Sequence, residues 1–177
     1  MQALTRCLET EIGYLAGLTD GEGCFTVALQ CYKKTARRYA NLLFHPKIEI
    51  KITGNDDWVK RVKDILSRLR IKCCSIPFRR NNPRWKDGFM VVIQHRYALM
   101  FAKILLPYLT VKRQVAEAFL KRPKGNRMDR HRRLNWHMIE KWIAYIETLR
   151  KLNTHHNTVK WTRKRILNYY RAIANET

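Results

Sequence analysis

Two acidic residues set among glycines are the part of this sequence that most directly offers chemistry. Asp20 and Glu22 close an apolar run over residues 11–23, which reads Glu-Ile-Gly-Tyr-Leu-Ala-Gly-Leu-Thr-Asp-Gly-Glu-Gly. Carboxylate oxygens are the ligands that Mg²⁺ and Ca²⁺ take in proteins, so these acids could hold a hard cation. An equally open interpretation is a buried helix with a glycine-rich C-terminal cap and two solvated acids.

The apolar run itself has the pattern of a helix with one very small face. Gly13 and Gly17 lie four residues apart, so they share a helical face that Ala16 and Asp20 flank. A face with almost no side chain lets the backbone of a second helix approach closely, by the logic best documented in membranes. Asp20 and Glu22 would then lie at the mouth of that helix contact.

The segments after this helix alternate between strand and helix patterns. Apolar residues recur at every second position over 25–29 and 48–52, which predicts two half-buried strands. Residues 57–70 carry apolar side chains at helical spacing. Further strands are predicted over 71–78 and 89–94, and further helices over 95–106, 111–122, 130–152 and 159–174.

This element order predicts an α+β fold, α-β-β-α-β-β-α with extra C-terminal helices. The length of 177 residues and the 46% hydrophobic content are enough for one domain with its own core. We therefore expect a single domain over residues 1–177, with a core at about 8–122 and C-terminal helices at about 128–175. The four strands are expected to be antiparallel, with helices covering one side of the sheet.

The charge balance indicates a polyanionic partner. Lysine and arginine number 36 against 14 acidic residues, a net charge of +22. No apolar run approaches the roughly 18 residues of a membrane span, and the N-terminus lacks the apolar segment of a signal peptide. The five cysteines have no spacing typical of a zinc site, and their odd number argues against a disulfide framework. We expect an intracellular, soluble protein with reduced thiols and no membrane partner.

Residues 14–23, Tyr-Leu-Ala-Gly-Leu-Thr-Asp-Gly-Glu-Gly, closely resemble the signature of the LAGLIDADG homing endonucleases. The resemblance covers about residues 11–120, and it implies the LAGLIDADG fold, in which two motif helices pack at a two-fold or pseudo-two-fold axis. It also implies that Glu22 binds a divalent metal at the scissile phosphates, with the Gly21 carbonyl as a supplementary ligand. The family more often has Asp at this position. Asp20 is expected to support the helix ends.

The rest of the sequence holds no second copy of the motif. The resemblance therefore implies a homodimer, with an interface at Gly13, Ala16, Gly17 and Asp20. The expected metal is Mg²⁺, or Mn²⁺ in its place, and Ca²⁺ is expected to occupy the site without supporting cleavage.

The resemblance points to two further active-site positions. Lys112 matches a family lysine that steadies transition-state charge or the water network, and the alternative is a surface lysine that opens a helix. The family often has a polar, solvent-ordering residue at the end of the second strand, and here that position falls on Gly54. Asn55 is the expected substitute, with Lys51 as the other candidate.

A twisted antiparallel ribbon with polar outward side chains suits the DNA major groove, where side chains distinguish all four base pairs. Outward positions on the first two predicted strands are Thr26, Ala28, Gln30, Tyr32, His45, Lys47, Glu49 and Lys51. Basic and aromatic residues near the two hairpin tips are Lys33, Lys34, Arg37, Arg38, Arg79, Arg80, Arg84, Trp85 and Lys86. We expect these residues to bind DNA, although for each one a merely solvated side chain is the alternative. So many cationic contacts predict that affinity falls roughly 10³-fold from 50 to 200 mM salt.

Together these features favour a homodimeric, Mg²⁺-dependent, site-specific double-strand DNA endonuclease of the intron-homing type. The resemblance implies a long pseudo-palindromic target, cut across the minor groove to leave 3′ overhangs. The alternative is a LAGLIDADG-type RNA maturase, which binds an intron RNA without cleaving DNA. A basic ribosomal or architectural protein would explain the charge but not the acidic, glycine-rich helix end. The host compartment, whether an organelle or an archaeal or bacterial cytoplasm, does not follow from the sequence.

Overall fold

Helix α1 (Gln2–Glu22) carries the whole glycine-rich motif and ends on its second acid. The computed structural model describes residues 2–32, 41–54, 56–79, 87–124, 136–153 and 162–175. After α1 come β1 (Gly23–Tyr32), β2 (Asn41–Thr53), α2 (Asp56–Arg68), β3 (Cys73–Phe78), β4 (Gly88–Gln94), α3 (His95–Leu105), α4 (Arg113–Leu120), α5 (Trp136–Leu152) and α6 (Arg163–Asn175). The predicted element order is therefore confirmed.

The four strands form one antiparallel sheet in the order β1-β2-β4-β3. Strand β4 lies between its two partners, with Ile50 opposite Val91 on one side and Ser75 opposite Val91 on the other. Ile48, Ile50 and Ile52 are buried, while the alternate residues of β2 are more exposed. The period-two pattern of the sequence thus set the two faces of this strand correctly.

The chain packs as two compact units, and strands β1 and β2 each run from one unit into the other. Unit 1 comprises Met1–Thr26 and Pro46–Leu120, and unit 2 comprises Val27–His45 and Lys121–Thr177. In unit 1, α2 packs against β3 and β4, and α3 packs against both α1 and α4. The expectation of a single domain over 1–177 stays a prediction.

The core of unit 2 is built around one tryptophan of α5. Trp142 is buried, stacks on Phe44 with ring centroids 5.2 Å apart, and meets Tyr145 edge-on at 5.5 Å. Burial raises the pKa of Tyr145, although the nearby Arg122 charge acts in the opposite direction. The predicted apolar face of the long C-terminal helix is therefore the face that α5 buries.

Two of the boundaries that differ from the predictions are each shifted by two residues. The strand predicted from residue 71 begins at Cys73, because Arg70 turns the chain out of α2 with a left-handed φ of 57°. The helix predicted from residue 111 begins at Arg113, and the N–H groups of Val111 and Lys112 just before it donate to the Asp20 carboxylate of α1. Among the described residues, no helix has the length and hydropathy of a membrane span.

Candidate active site

The end of α1 presents Glu22 to solvent at a sharp junction with β1. Glu22 is the last helical residue and is exposed, while Gly23 is buried as the first residue of the strand. A Cβ on Gly23 would lie only 2.6 Å from the Thr19 carbonyl oxygen, so only glycine lets the chain leave the helix here. The closing glycine of the motif therefore fixes where the Glu22 carboxylate emerges.

Lys112 caps the C-terminal end of the same helix. Its ammonium Nζ donates hydrogen bonds to the carbonyl oxygens of Thr19 at 3.0 Å, Asp20 at 2.7 Å and Gly21 at 3.3 Å. The last carbonyls of a helix lack intrahelical partners and carry partial negative charge, so a cation is stabilised there. Partial burial lowers the pKa of Lys112, against the raising effect of the Asp20, Cys24 and Glu22 charges.

The Asp20 carboxylate faces the segment that leads into α4. It accepts hydrogen bonds from the backbone N–H groups of Thr110, Val111 and Lys112 at 2.8, 3.2 and 2.8 Å, and from the Thr110 hydroxyl at 2.9 Å. Partial burial raises the pKa of Asp20, but these hydrogen bonds outweigh it and hold the pKa below its ordinary value. The contacts fit the supporting role that the resemblance implied for Asp20.

Cys24 is a thiol near Lys112 that the sequence interpretation treated only as structural. It follows Glu22 by two residues, is partly buried in β1, and lies among the charges of Glu49, Lys112, Lys51 and Lys47. Burial raises the pKa of the Cys24 thiol, and the Glu49 carboxylate raises it further against the three lysines. The alternation of β1 could have indicated this position, because Cys24 lies on the same side of the strand as Thr26, which is predicted to contact DNA.

Gly54 has a structural reason to be glycine. Its φ is +101°, a conformation that side chains strain, and its N–H donates to the Asp87 carbonyl at 3.3 Å. The predicted role of Asn55 concerns a residue outside the described ranges. Lys51, the other candidate, is exposed on β2, and its charge acts on Cys24.

The glycine face of α1 is open within the single chain. A Cβ placed on Gly13, Gly17 or Gly21 would meet no atom within 4 Å. The expectation for Ala16 is corrected: it is only 1% exposed, since it lies about 100° around the helix from Gly17 and packs into the core. Asp20 uses its carboxylate within the chain, and its contact with a second protomer stays a prediction.

Comparison with known proteins places this arrangement in a known fold. No protein-family model matches the sequence, and no curated protein matches it. The homing endonuclease I-CvuI, solved with DNA in the presence of Mg or of Ca, aligns with a TM-score of 0.60 at 15% identity, over 94% of this chain and 96% of that chain. I-LtrWI, a LAGLIDADG homing endonuclease bound to target DNA, aligns with a TM-score of 0.50 at 16% identity, over 93% of this chain and 58% of its own.

The chain has the LAGLIDADG homing endonuclease fold. In the I-CvuI structure with 2 mM Mg the DNA is not cleaved.

The donor set at the end of α1 in this LAGLIDADG fold suits a metal that takes most of its ligands from elsewhere. Within the described ranges, no group of three or more His, Cys, Asp or Glu side chains could hold a metal ion. Mg²⁺ is commonly held by one or two carboxylates, with waters and substrate phosphates as the other ligands. The exposed Glu22 carboxylate fits that chemistry, while the Gly21 carbonyl already accepts from Lys112 at 3.3 Å.

The predicted DNA-contacting side chains fall into two groups. Those in the described residues are Thr26, Ala28, His45, Lys47 and Glu49, which are partly exposed, and Gln30, Lys51 and Arg79, which are exposed. Outside the described residues, or with side chains that are not described, are Tyr32, Lys33, Lys34, Arg37, Arg38, Arg80, Arg84, Trp85 and Lys86.

Lys47 and Glu49 form an ion pair with each other at 2.5 Å. Lys47 and Glu49 can each contact a separate base, as predicted, only when this ion pair is broken. Both side chains are partly exposed, so a base edge can reach the pair and replace one partner.

Proposed function

We propose that this protein is a site-specific DNA endonuclease of the homing type, which binds a long pseudo-palindromic duplex as a homodimer. It hydrolyses one phosphodiester bond in each strand across the minor groove and leaves 3′ overhangs. The observation that carries the proposal is the placement of Glu22 and Lys112. An exposed carboxylate ends helix α1, and a partly buried ammonium is fixed against the carbonyls of the same helix end.

Hydrolysis of a phosphodiester requires an in-line water, neutralisation of charge on the phosphoryl oxygens, and stabilisation of the leaving oxygen. A divalent metal held by Glu22 would supply charge neutralisation and a water of lowered pKa. Lys112 adds a positive charge whose position is already set by three hydrogen bonds, so little reorganisation is needed during reaction. Lys51, whose charge acts on Cys24, is the candidate for ordering solvent between Glu22 and the sheet.

One chain offers one Glu22, whereas cutting both strands needs two such sites. The open face at Gly13 and Gly17 supports a two-fold contact between copies, because nothing in the described part of the chain occupies the space beside these glycines. Two symmetry-related sites would then meet an approximately palindromic target. The net charge of +22 supports DNA as the substrate, since it favours a polyanion.

The test is cleavage of a plasmid that carries the uninterrupted insertion site of the encoding intron, in Mg²⁺ and then in Mn²⁺ and Ca²⁺. The wild type should cut in Mg²⁺ or Mn²⁺, and Ca²⁺ should support binding only. Glu22→Gln should bind the same DNA with unchanged affinity and leave it uncut. Glu9→Gln, at an exposed position of the same helix, is the matched control and should cut normally.

Two results would contradict the endonuclease proposal. Full target binding by the wild type with no cleavage in any of the metals would favour the alternative, an RNA maturase. Normal cleavage by Glu22→Gln would show that this carboxylate does not act in the reaction. Binding of the intron RNA in preference to the DNA duplex would support the maturase directly.

A further inference from the structure

On one side of the unit 1 sheet, strand β2 carries charged side chains, whereas β4 and β3 carry apolar ones. Strand pairing places Lys51 of β2 opposite Met90 of β4, and Met90 opposite Ile76 of β3. Paired residues point to the same side of a sheet, so these three side chains form one row across it. The neighbouring row on the same side of the sheet holds Glu49, Val92 and Cys74.

At Cys74, Ile76 and Met90 this side of the sheet is at least partly exposed, although Val92 on the same side is only 3% exposed. The opposite side carries Ile50 and Val91, which are fully buried, whereas Ile76 is 46% exposed and Cys74 is exposed. Met90 is partly exposed between them. We name Cys74, Ile76 and Met90 the apolar strip.

The apolar strip borders charged residues directly. Lys51 and Glu49 stand beside it on β2, and the exposed Arg79 follows β3 immediately. A protein that carries a net charge of +22 and exposes an apolar strip between cations has a surface suited to a polyanion with apolar groups of its own. The major groove of DNA meets this description, because each thymine presents a 5-methyl group there beside the acceptors of other bases.

We propose that the apolar strip reads thymine 5-methyl groups in the major groove, so that each half-site has thymine where Ile76 and Met90 meet the bases. This inference rests on the proposed DNA-binding function and specifies which bases β3 and β4 select. The β2 positions, with Lys and Glu side chains, read hydrogen-bonding edges instead. This apolar contact is additional to the basic and aromatic residues predicted to bind DNA near the tip of the second hairpin.

The experiment first selects bound duplexes from a randomised DNA library with the full-length wild-type protein. Each thymine of the selected half-site is then replaced by deoxyuridine, which removes the methyl group and leaves base pairing unchanged. Replacement at the strip positions should weaken binding about fourfold per methyl group, the expected effect of one buried carbon. Replacement at the other thymines of the half-site should have no effect on affinity.

Two variants test whether the affinity difference between thymine and deoxyuridine duplexes depends on the apolar strip. Ile76→Ser should bind the thymine and deoxyuridine duplexes equally well, because the contact that distinguishes them is gone. Met100→Ser is the matched control, since Met100 is 41% exposed on α3 and lies outside the sheet. Met100→Ser should keep the fourfold preference for the thymine duplex over the deoxyuridine duplex. If Ile76→Ser fails to fold, the deoxyuridine scan of the wild type decides the matter by itself.

The outcomes separate this inference from the proposed function. A selected consensus whose affinity is unchanged by deoxyuridine at every position would overturn the strip as a methyl reader while leaving site-specific DNA binding intact. A library from which no sequence is enriched would contradict the proposed function itself. If Ile76→Lys lowers the mass of the DNA-free protein by light scattering and deoxyuridine has no effect, a second copy of the chain covers the strip, and the inference is wrong.

Discussion

Asp20 and Lys112 each bond to the other's backbone. The Lys112 N–H donates to Asp20 Oδ1 at 2.8 Å, and the Lys112 Nζ donates to the Asp20 carbonyl oxygen at 2.7 Å. The carboxylate satisfies N–H groups that precede α4, and the ammonium satisfies carbonyls that end α1. The end of α1 and the segment that leads into α4 are therefore each stabilised by a side chain from the other, and this fixes Lys112 at the helix end that Glu22 closes.

Asp20→Asn should destabilise the fold, because a neutral amide offers one acceptor oxygen where the carboxylate offers two charged ones. We expect the free energy of unfolding to fall by about 1.5–3 kcal/mol, the range for hydrogen bonds to a charged group. Urea unfolding followed by circular dichroism measures it. Asp64→Asn, at an exposed position of α2, is the control and should stay within about 0.5 kcal/mol of wild type. Equal stability of Asp20→Asn and wild type would show that the hydrogen bonds of the Asp20 carboxylate do not stabilise the fold.

The same carboxylate predicts a pH dependence. Because the pKa of Asp20 in the folded protein lies below its ordinary value of 3.8, its contribution is present above that value and is lost as the pH falls through the folded pKa. The stability difference between wild type and Asp20→Asn should be constant at about pH 7 and 5 and should shrink at about pH 3. A difference that grows on acidification would mean that the pKa is raised in the fold. Comparing the two proteins cancels the other carboxylates.

Lys112→Met should slow cleavage about 10²–10³-fold, the scale of losing one preorganised electrostatic group near a reacting centre, because it removes a positive charge that is fixed at the helix end. Target affinity should change by no more than a few-fold, because Lys112 bonds to the protein and not to outward-facing phosphates. Single-turnover cleavage and filter binding give the two quantities. Lys103→Met removes an exposed lysine of α3 and should cut at the wild-type rate. Cleavage by Lys112→Met at the wild-type rate would limit this lysine to a structural role.

Gly17→Arg should convert the protein to a monomer. Within the chain a Cβ at this position meets nothing within 4 Å, so the fold accommodates the side chain, whereas a second helix pressed against this face does not. Light scattering with and without target DNA should give the dimer mass for wild type and the monomer mass for Gly17→Arg. Ser67→Arg, which adds the same charge at an exposed position of α2, should remain dimeric. A monomeric wild type on its target would contradict the homodimer.

The elements were predictable because their signals are local. Alternation over residues 48–52 identifies the buried side of β2, and helical spacing identifies the buried residues of α2, since both patterns follow from backbone geometry alone. The placement of Glu22 at a helix end is predictable for the same reason. Helix α1 is longer than the motif alone indicates, because residues 2–10 belong to the same helix.

Other site features depend on residues far apart in the chain. No pattern near Asp20 indicates that it bonds to residues 110–112, some ninety positions later. The exposure of β3 could not be read from its composition, because Ile76 is apolar and yet lies on the outward side. Cys24 looks like a structural thiol in the sequence alone, because its charged neighbours come from β2 and from Lys112.

The sequence by itself determined the element order, the faces of β2 and α2, the strongly basic charge and the acidic end of α1. These depend on periodicity, composition and a contiguous motif. Only the tertiary structure decided that Ala16 is buried while Gly13 and Gly17 are open, and that Lys112 reaches the end of α1. Burial and hydrogen-bond partners depend on which elements pack together, and that packing is a property of the whole chain.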